Sequence, residues 1–374
     1  MSQTAPYRVV RYSAELRDRF IDLGCRIWGR DREQSARYFE WKYLDNPWAG
    51  ETPDIYLVLA GNVIVGSRGF YRSRWESGLG AERVVETLPV ADDFYIEPAH
   101  RGLGLASLLM REALGDLGGR ERYVLNLSGS LVTVLGSLAM GWRSAGQQEP
   151  IGLGKASLRR RFRDALGRLR FFWRFGDSRW LLAQNERWPY RRLDREGGAG
   201  PITVQQTPPV AALCELVERI GHDGRIRHVR DAESLTWRYR CPLGSYRFLC
   251  YGSGPIEGCL VLQVPVPYNG VPARIVDLVA TSAPVRRALL ERALDTGRFR
   301  RCFAWSATLP ADAVDLLTAR GWHPIDQLAR AHGAPCILVK QLQGGSPPET
   351  WKLGPCSLTE RDSWDVRMID TMAG

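Results

Sequence analysis

The residues best placed to do chemistry run from Asp92 to Ala106: Asp92-Asp93-Phe94-Tyr95-Ile96-Glu97-Pro98-Ala99-His100-Arg101-Gly102-Leu103-Gly104-Leu105-Ala106. The pattern is a strand, an exit marked by Pro98, a tight turn with two glycines, and a helix start. Glycine lets the backbone come close to an anion, and a helix N-terminus offers N–H groups that have no partner within the helix. Together these features suit a pyrophosphate. No G-K-[ST] follows, so the turn is not a Walker loop, and the G-x-G-x-x-G spacing of a dinucleotide site is absent.

The turn needs a scaffold, and the hydrophobic periodicity supplies one. Leu16, Phe20, Leu23 and Ile27 make one helical stripe over 14–28. Residues 55–71 read as a hairpin turning at Gly61-Asn62. Strands follow at Val84-Val85 and at 92–96, then a helix over 106–117, a strand over 123–127 and a helix over 131–140 stopped by Gly141. A second cycle begins at Ile202 and repeats landmarks of the first. Trp41-Lys42-Tyr43 with Pro47 is matched by Trp237-Arg238-Tyr239 with Pro242, and Gly141-Trp142 by Gly321-Trp322. The spacing predicts an internal duplication in an α/β chain: a domain over 1–152, a basic helical linker over 153–200, a second domain over 201–345 and an irregular tail over 346–374.

Composition narrows the class. With 374 residues, 44% hydrophobic and 25% charged, the chain can build its own cores. No apolar run approaches the ~20 residues of a membrane span, and the short polar N-terminus does not read as a secretory signal. Eight cysteines without a C-x-x-C pair read as reduced thiols of a cytoplasmic protein. Five histidines without ligand spacing predict no metal site. The net charge is +10, and the segment 155–195 carries +9 of it. Its Leu158, Phe162, Leu166 and Leu169 form one stripe among arginines. That segment reads either as an interdomain helix with solvated arginines or as a weak contact with an anionic membrane surface or RNA. No specific nucleic-acid partner is expected, since the rest of the chain is nearly neutral.

Arg101-x-x-Gly104-x-Ala106 after a strand resembles motif A of the GCN5-related N-acetyltransferases (GNAT). Ile96-x-Pro98 before it, the helix after it and the strand–helix–Gly-Trp unit that follows fit the same family. Residues 7–150 carry the resemblance well, and 201–340 resemble a second GNAT unit in layout only. The whole is similar to bacterial tandem-GNAT proteins with W-[KR]-Y…P in each half. The resemblance implies two tandem GNAT-like domains, each a mixed, mostly antiparallel sheet flanked by helices. It implies acetyl-CoA as donor, held by Tyr95 and Ile96 through their main chain and by the loop Arg101, Gly102, Leu103, Gly104, Leu105 and Ala106. In the second copy Thr281-Ser282-Ala283-Pro284-Val285-Arg286 lacks the glycines, so that copy is expected to be degenerate.

Amide formation from a thioester needs a neutral amine, hence a base or a water relay. Asp92, Asp93 and Glu86 lie on or before the motif-A strand, with Asp93 ranked first and Glu86 second. Neighbouring residues on a strand point to opposite faces, so only one of Asp92 and Asp93 should face the acceptor. The tyrosine that the family places four residues before the motif-B glycine is replaced by Ser137, which could at most relay a proton through water. Trp41, Tyr43, Trp237 and Tyr239 read as core aromatics or as walls of an acceptor cleft. The expected activity is acyl-CoA-dependent N-acetyltransfer to an amine of a small molecule or a glycan or natural-product precursor. The alternatives are a Fem-like transferase using aminoacyl-tRNA and a non-catalytic binding protein of GNAT fold.

Overall fold

The computed structural model describes residues 7–129, 131–153, 193–194, 200–266, 273–297, 299, 302–325, 336–342 and 351–372. The basic helix expected within 155–195 lies outside the described residues, apart from Leu193 and Asp194. The chain divides into two units that are not consecutive in sequence. Unit one draws on Met1–Gln148, His222–Pro242 and Gln327–Val366; unit two draws on Glu149–Gly221, Leu243–Asp326 and Arg367–Gly374.

In unit one, β1 (Tyr7–Arg11), β2 (Asp54–Ala60), β3 (Val63–Ser77) and β4 (Val84–Ile96) pair antiparallel in sequence order. The two short strands expected along 84–96 are a single strand of 13 residues. β5 (Tyr123–Asn126) joins β4 in parallel, and the sheet closes on β6 (Arg143–Gln147). Helix α1 (Arg17–Trp28) buries Phe20, Ile21 and Leu23. Helix α3 (Leu105–Gly118) packs Leu105, Leu109, Ala113 and Leu117 into a core with Tyr56, Val58, Phe70 and Ala91. Between them, α2 (Arg32–Phe39) is capped by Asp31, whose carboxylate accepts the Gln34 N–H at 2.8 Å. It runs on into one π turn, Glu40–Leu44. Trp41, Lys42 and Tyr43 are all buried. Helix α4 (Leu131–Ala139) ends the local run.

In unit two, β8 (Ile202–Gln205), β10 (Gly244–Tyr251), β11 (Gly258–Pro265) and β12 (Ala273–Ala280) pair antiparallel, and β13 (Cys302–Trp305) adds in parallel. Helices α5 (Val210–Ile220), α7 (Ala283–Thr296) and α8 (Ala311–Ala319) and the last strand, β14 (Trp322–Pro324), follow the layout of unit one. Both units are thus α/β, with mixed, mostly antiparallel sheets.

The division at 152 and 201–345 expected from sequence is corrected by an exchange of strands. β7 (Pro150–Leu153) does not return to β6; it lies between β13 and β14, antiparallel to both. β15 (Cys336–Gln341) lies between β5 and β6 of unit one, again antiparallel to both. Each sheet therefore takes the equivalent inner strand from the other end of the chain, the outcome expected when two copies of one unit are fused and the connecting strands pair across the copies. β9 (Ile226–His228), antiparallel to β3, and helix α6 (Ala232–Tyr239), with the second W-R-Y, are also part of unit one. Trp41 and Trp237 stack at 5.0 Å with a 14° interplanar angle. Each indole N–H donates to the main-chain oxygen of the other tryptophan at 2.8 Å. Trp41 and Trp237 therefore pair with each other in the core.

Candidate functional site

β3 and β4 keep register except at one place. Ser67 faces Tyr95 and Gly69 faces Asp92, so three steps of β4 span two of β3. The extra residue is a β-bulge. Asp93 sits in it with φ of 51°, a left-handed conformation that aspartate tolerates better than most residues. The Ser67 hydroxyl donates to the Asp93 main-chain oxygen at 3.0 Å and holds the bulge in place.

The bulge undoes the alternation rule for its two carboxylates. Both reach one ammonium: Lys42 Nζ donates to Asp92 Oδ2 and to Asp93 Oδ2, each at 2.8 Å. The Lys42 side chain is 0% exposed, that of Asp93 4% and that of Asp92 20%. Asp93 is enclosed further: the Tyr43 hydroxyl donates to its Oδ2 at 2.6 Å and Trp28 Nε1 to its Oδ1 at 2.8 Å. Asp92 accepts the Ser128 hydroxyl on Oδ1 at 3.0 Å. Tyr38, Tyr43 and Tyr71 place ring centroids 5.3–5.5 Å from the ammonium. Burial opposes the charged form of Asp92, but Lys42 and the Ser128 hydroxyl outweigh it and hold the carboxyl below its ordinary range. Burial likewise opposes the charge on Lys42, and the two carboxylates overcome it, so its pKa is raised. Gly69 makes the arrangement possible, because a Cβ there would stand 1.9 Å from the Tyr43 hydroxyl.

Beyond the bulge β4 and β5 part. Val90 pairs with Leu125, and after it the β5-facing edge of β4 has no strand partner among the described residues. Tyr95 and Ile96 lie on that opened stretch, with Ile96 packed into the core. The next residue of β5, Asn126, is fully buried; its Oδ1 accepts the Ser128 N–H at 3.2 Å, and its Nδ2 has no partner among the described residues.

The opened edge leads into the glycine turn. Arg101 Nε donates to the Ile96 oxygen at 3.0 Å and folds the turn back on the strand. Gly102 and Gly104 are left-handed, with φ of 77° and 72°. A Cβ on either would meet nothing within 4 Å, so open space lies over the turn. Gly104 is the N-cap of α3 and has no side chain to cap it, which leaves the first N–H groups of α3 available to an anion. Leu103 is exposed, Leu105 is buried and Ala106 is exposed. The loop residues named from sequence thus form one cradle.

The other named residues are not gathered there. Glu86 is half-buried and faces Trp75; burial raises its pKa and Arg122 partly offsets this. It is seven residues from Asp93, about 20 Å along the strand. Ser137 is buried on α4, four residues before Gly141. Tyr43 is one of the aromatics that the sequence offers as core or cleft wall, whereas Lys42, Trp28 and Gly69 are not legible there as site residues. The W-K-Y repeat is a signal for Lys42 and Tyr43 alone; Trp28 and Gly69 have none.

Unit two keeps the framework without the cradle. β12 has a matching register shift beside Asp277 and parts from β13 after Arg274. A shallow cleft there is lined by Val276, Leu278, Trp305, Leu309, Arg367 and Met368. Arg367 Nη1 donates to Asp277 Oδ1 at 2.9 Å and to the Leu278 main-chain oxygen at 3.2 Å. The C-terminal segment therefore holds the carbonyl that the parted strand would offer.

Among the described residues no helix is long and apolar enough to cross a membrane, and no cluster of three or more His, Cys, Asp or Glu could hold a metal ion. Residues 17–128 match the profile described as the acetyltransferase (GNAT) family. No curated protein matches the chain. Among solved structures, a GCN5-related N-acetyltransferase from Anabaena variabilis aligns over 90% of this chain and 73% of its own, at 13% identity and a TM-score of 0.55. One from Kribbella flavida aligns over 90% and 72%, at 17% identity and a TM-score of 0.50. A conserved protein of unknown function from Enterococcus faecalis V583 aligns over 90% and 73%, at 12% identity and a TM-score of 0.54. At these identities the alignments speak for the fold, and they extend over both units.

Proposed function

We infer from the match of residues 17–128 to the acetyltransferase (GNAT) family that the protein is an acyl-CoA-dependent N-acyltransferase, with acetyl-CoA as donor and an amine of a small molecule or glycan or natural-product precursor as acceptor. One observation carries this reading: the β4 edge opened by the Asp93 bulge runs directly into two left-handed glycines and an uncapped helix N-terminus. An extended amide-bearing arm fits the first feature and a pyrophosphate the second. The free space above Gly102 and Gly104 gives the phosphates room.

When bound, the donor supplies an activated thioester carbonyl. The main-chain groups of Tyr95 and Ile96 hold its arm, and the N–H groups that open α3 hold its phosphates. Asp93 positions the bulge, because Lys42, Tyr43 and Trp28 already occupy both of its oxygens. Asp92 is the carboxylate with access to solvent, and it accepts a hydrogen bond from the acceptor amine. Its depressed pKa keeps it charged throughout the neutral range, so the amine proton leaves to water, with the Ser128 hydroxyl beside it. Ser137 serves at most as a water relay toward the leaving thiolate. A cytoplasmic location belongs to the same proposal and is supported by eight cysteines that are all free thiols.

Mass spectrometry of an amine library incubated with protein and acetyl-CoA tests the activity. The expected result is one class of amine gaining an acetyl group in proportion to enzyme. If acetyl-CoA binds and no amine is acylated, the protein is a binding module instead.

A further inference from the structure

Arg68 lies on β3 at the slip in register, between Ser67 and Gly69. It is 2% exposed. No carboxylate lies within ion-pair distance among the described residues, and its Nε and Nη2 are buried without a hydrogen-bond partner. Burial pushes its pKa down to about 10, against the weaker pull of Asp92. The side chain shares the sheet face of Tyr56, its partner on β2, whose hydroxyl is bonded to Asp116 of α3. Its guanidinium carbon is 5.7 Å from the ring centroids of Phe70 on β3 and Phe94 on β4. Neighbouring strands are roughly 4.8 Å apart, and an arginine side chain is longer than that. The guanidinium therefore reaches across to β4 at the bulge, where the opposite edge of β4 is open.

The two idle groups are informative. Nε–H and Nη2–H point the same way from the guanidinium plane, and this pair grips a carboxylate side-on with two parallel hydrogen bonds. A buried guanidinium with that pair unsatisfied is a standing cost to the free protein, and a planar two-oxygen anion removes it. Phe70 and Phe94 flank the guanidinium and offer it no hydrogen-bond acceptor, so the Nε–Nη2 edge is the recognising face.

We propose that Arg68 is the receptor for a carboxylate brought to the thioester end of the cleft, carried either on the acyl chain of the donor or on the acceptor amine. This rests on the acyl-CoA reading and adds the charge of the substrate to it. Arg68 is a specificity residue and takes no part in bond making.

The test compares ligands in matched pairs, so that any general loss of activity cancels. In the donor arm, succinyl-CoA and acetyl-CoA compete for one neutral amine. In the acceptor arm, acetyl-CoA is offered with an amino acid and with its amide. Wild type should prefer the carboxylate form in one arm by about 100-fold in kcat/KM. R68M should remove that preference, and R68K, which keeps the charge but loses the fork, should restore only part of it. The arm that shows the preference identifies the source. A thermal-shift series stands apart from acyl transfer. R68M should melt several degrees above wild type, because a buried unpaired charge is gone. Free succinate or acetate should raise the Tm of wild type and leave that of R68M unmoved. Loss of acyl-CoA binding with the carboxylate shift intact would remove the donor reading and keep the receptor. Bound acyl-CoA with no preference in either arm, a preference that survives R68M, or an R68M protein less stable than wild type and unresponsive in the same way would overturn the proposal.

Discussion

Gly104→Glu should weaken acetyl-CoA binding by at least ~100-fold while the protein stays folded. Two effects combine. Gly104 has φ of 72°, where a side chain is strained by about 1 kcal/mol, and a carboxylate would stand where α3 presents its free N–H groups to phosphate. The fold should survive because a Cβ there meets no atom within 4 Å. Gly104→Ala separates the effects, since it keeps the strain and omits the charge; it should cost only several-fold. Calorimetric titration of both variants, with circular dichroism as the control for folding, checks the pair. Equal affinity of Gly104→Glu and wild type would remove the turn from the donor site.

Lys42→Met should cost about 3–5 kcal/mol, because it leaves the buried Asp93 and the half-buried Asp92 without their cation. For a unit of this size that lowers the Tm by roughly 10 °C. The pH dependence is the sharper readout. In wild type the pKa of Asp92 is depressed, so its contribution is present above the ordinary carboxylate value of about 3.9 and is lost as pH falls through the lower folded value. Between pH 7 and 5 the site should hold wild-type stability level. Without Lys42, the burial that already opposes the charge on Asp92 is no longer offset and its pKa rises, the folded state then binds protons more readily than the unfolded chain, and stability rises as pH falls. Lys42→Met should therefore melt higher at pH 5 than at pH 7. Thermal melts across that range check the sign; a variant with the wild-type slope would show that Lys42 does not neutralise the pair.

Much of the scaffold and of the glycine turn was legible in the sequence, because both are local. Strand, proline exit, two glycines and helix start occupy 15 consecutive residues, and their conformations follow from the backbone freedom of glycine. The acidic pair was visible, but its geometry was not. Alternation along a strand assigns Asp92 and Asp93 to opposite faces, and a left-handed residue in a bulge brings them to one lysine. That lysine is 50 residues away in a π turn, and helical periodicity does not predict three successive inward side chains there. Arg68 lay unnoticed within a strand run, since a lone arginine gives no signal of burial. The duplication was readable from W-K-Y and W-R-Y, whereas the exchange of β7 and β15 was not: four residues at 150–153 carry too little pattern to choose between two sheets. The same exchange explains why a division made in sequence order fails.

One donor site is expected per chain, in unit one. Calorimetric titration of the full chain with acetyl-CoA measures the number of sites. A stoichiometry of one is expected, because unit one has both the opened edge and the glycine turn, while in unit two Thr281-Ser282-Ala283 leads into the helix without a glycine. Two equivalent sites per chain, or one site that persists undiminished in Gly104→Glu, would contradict it.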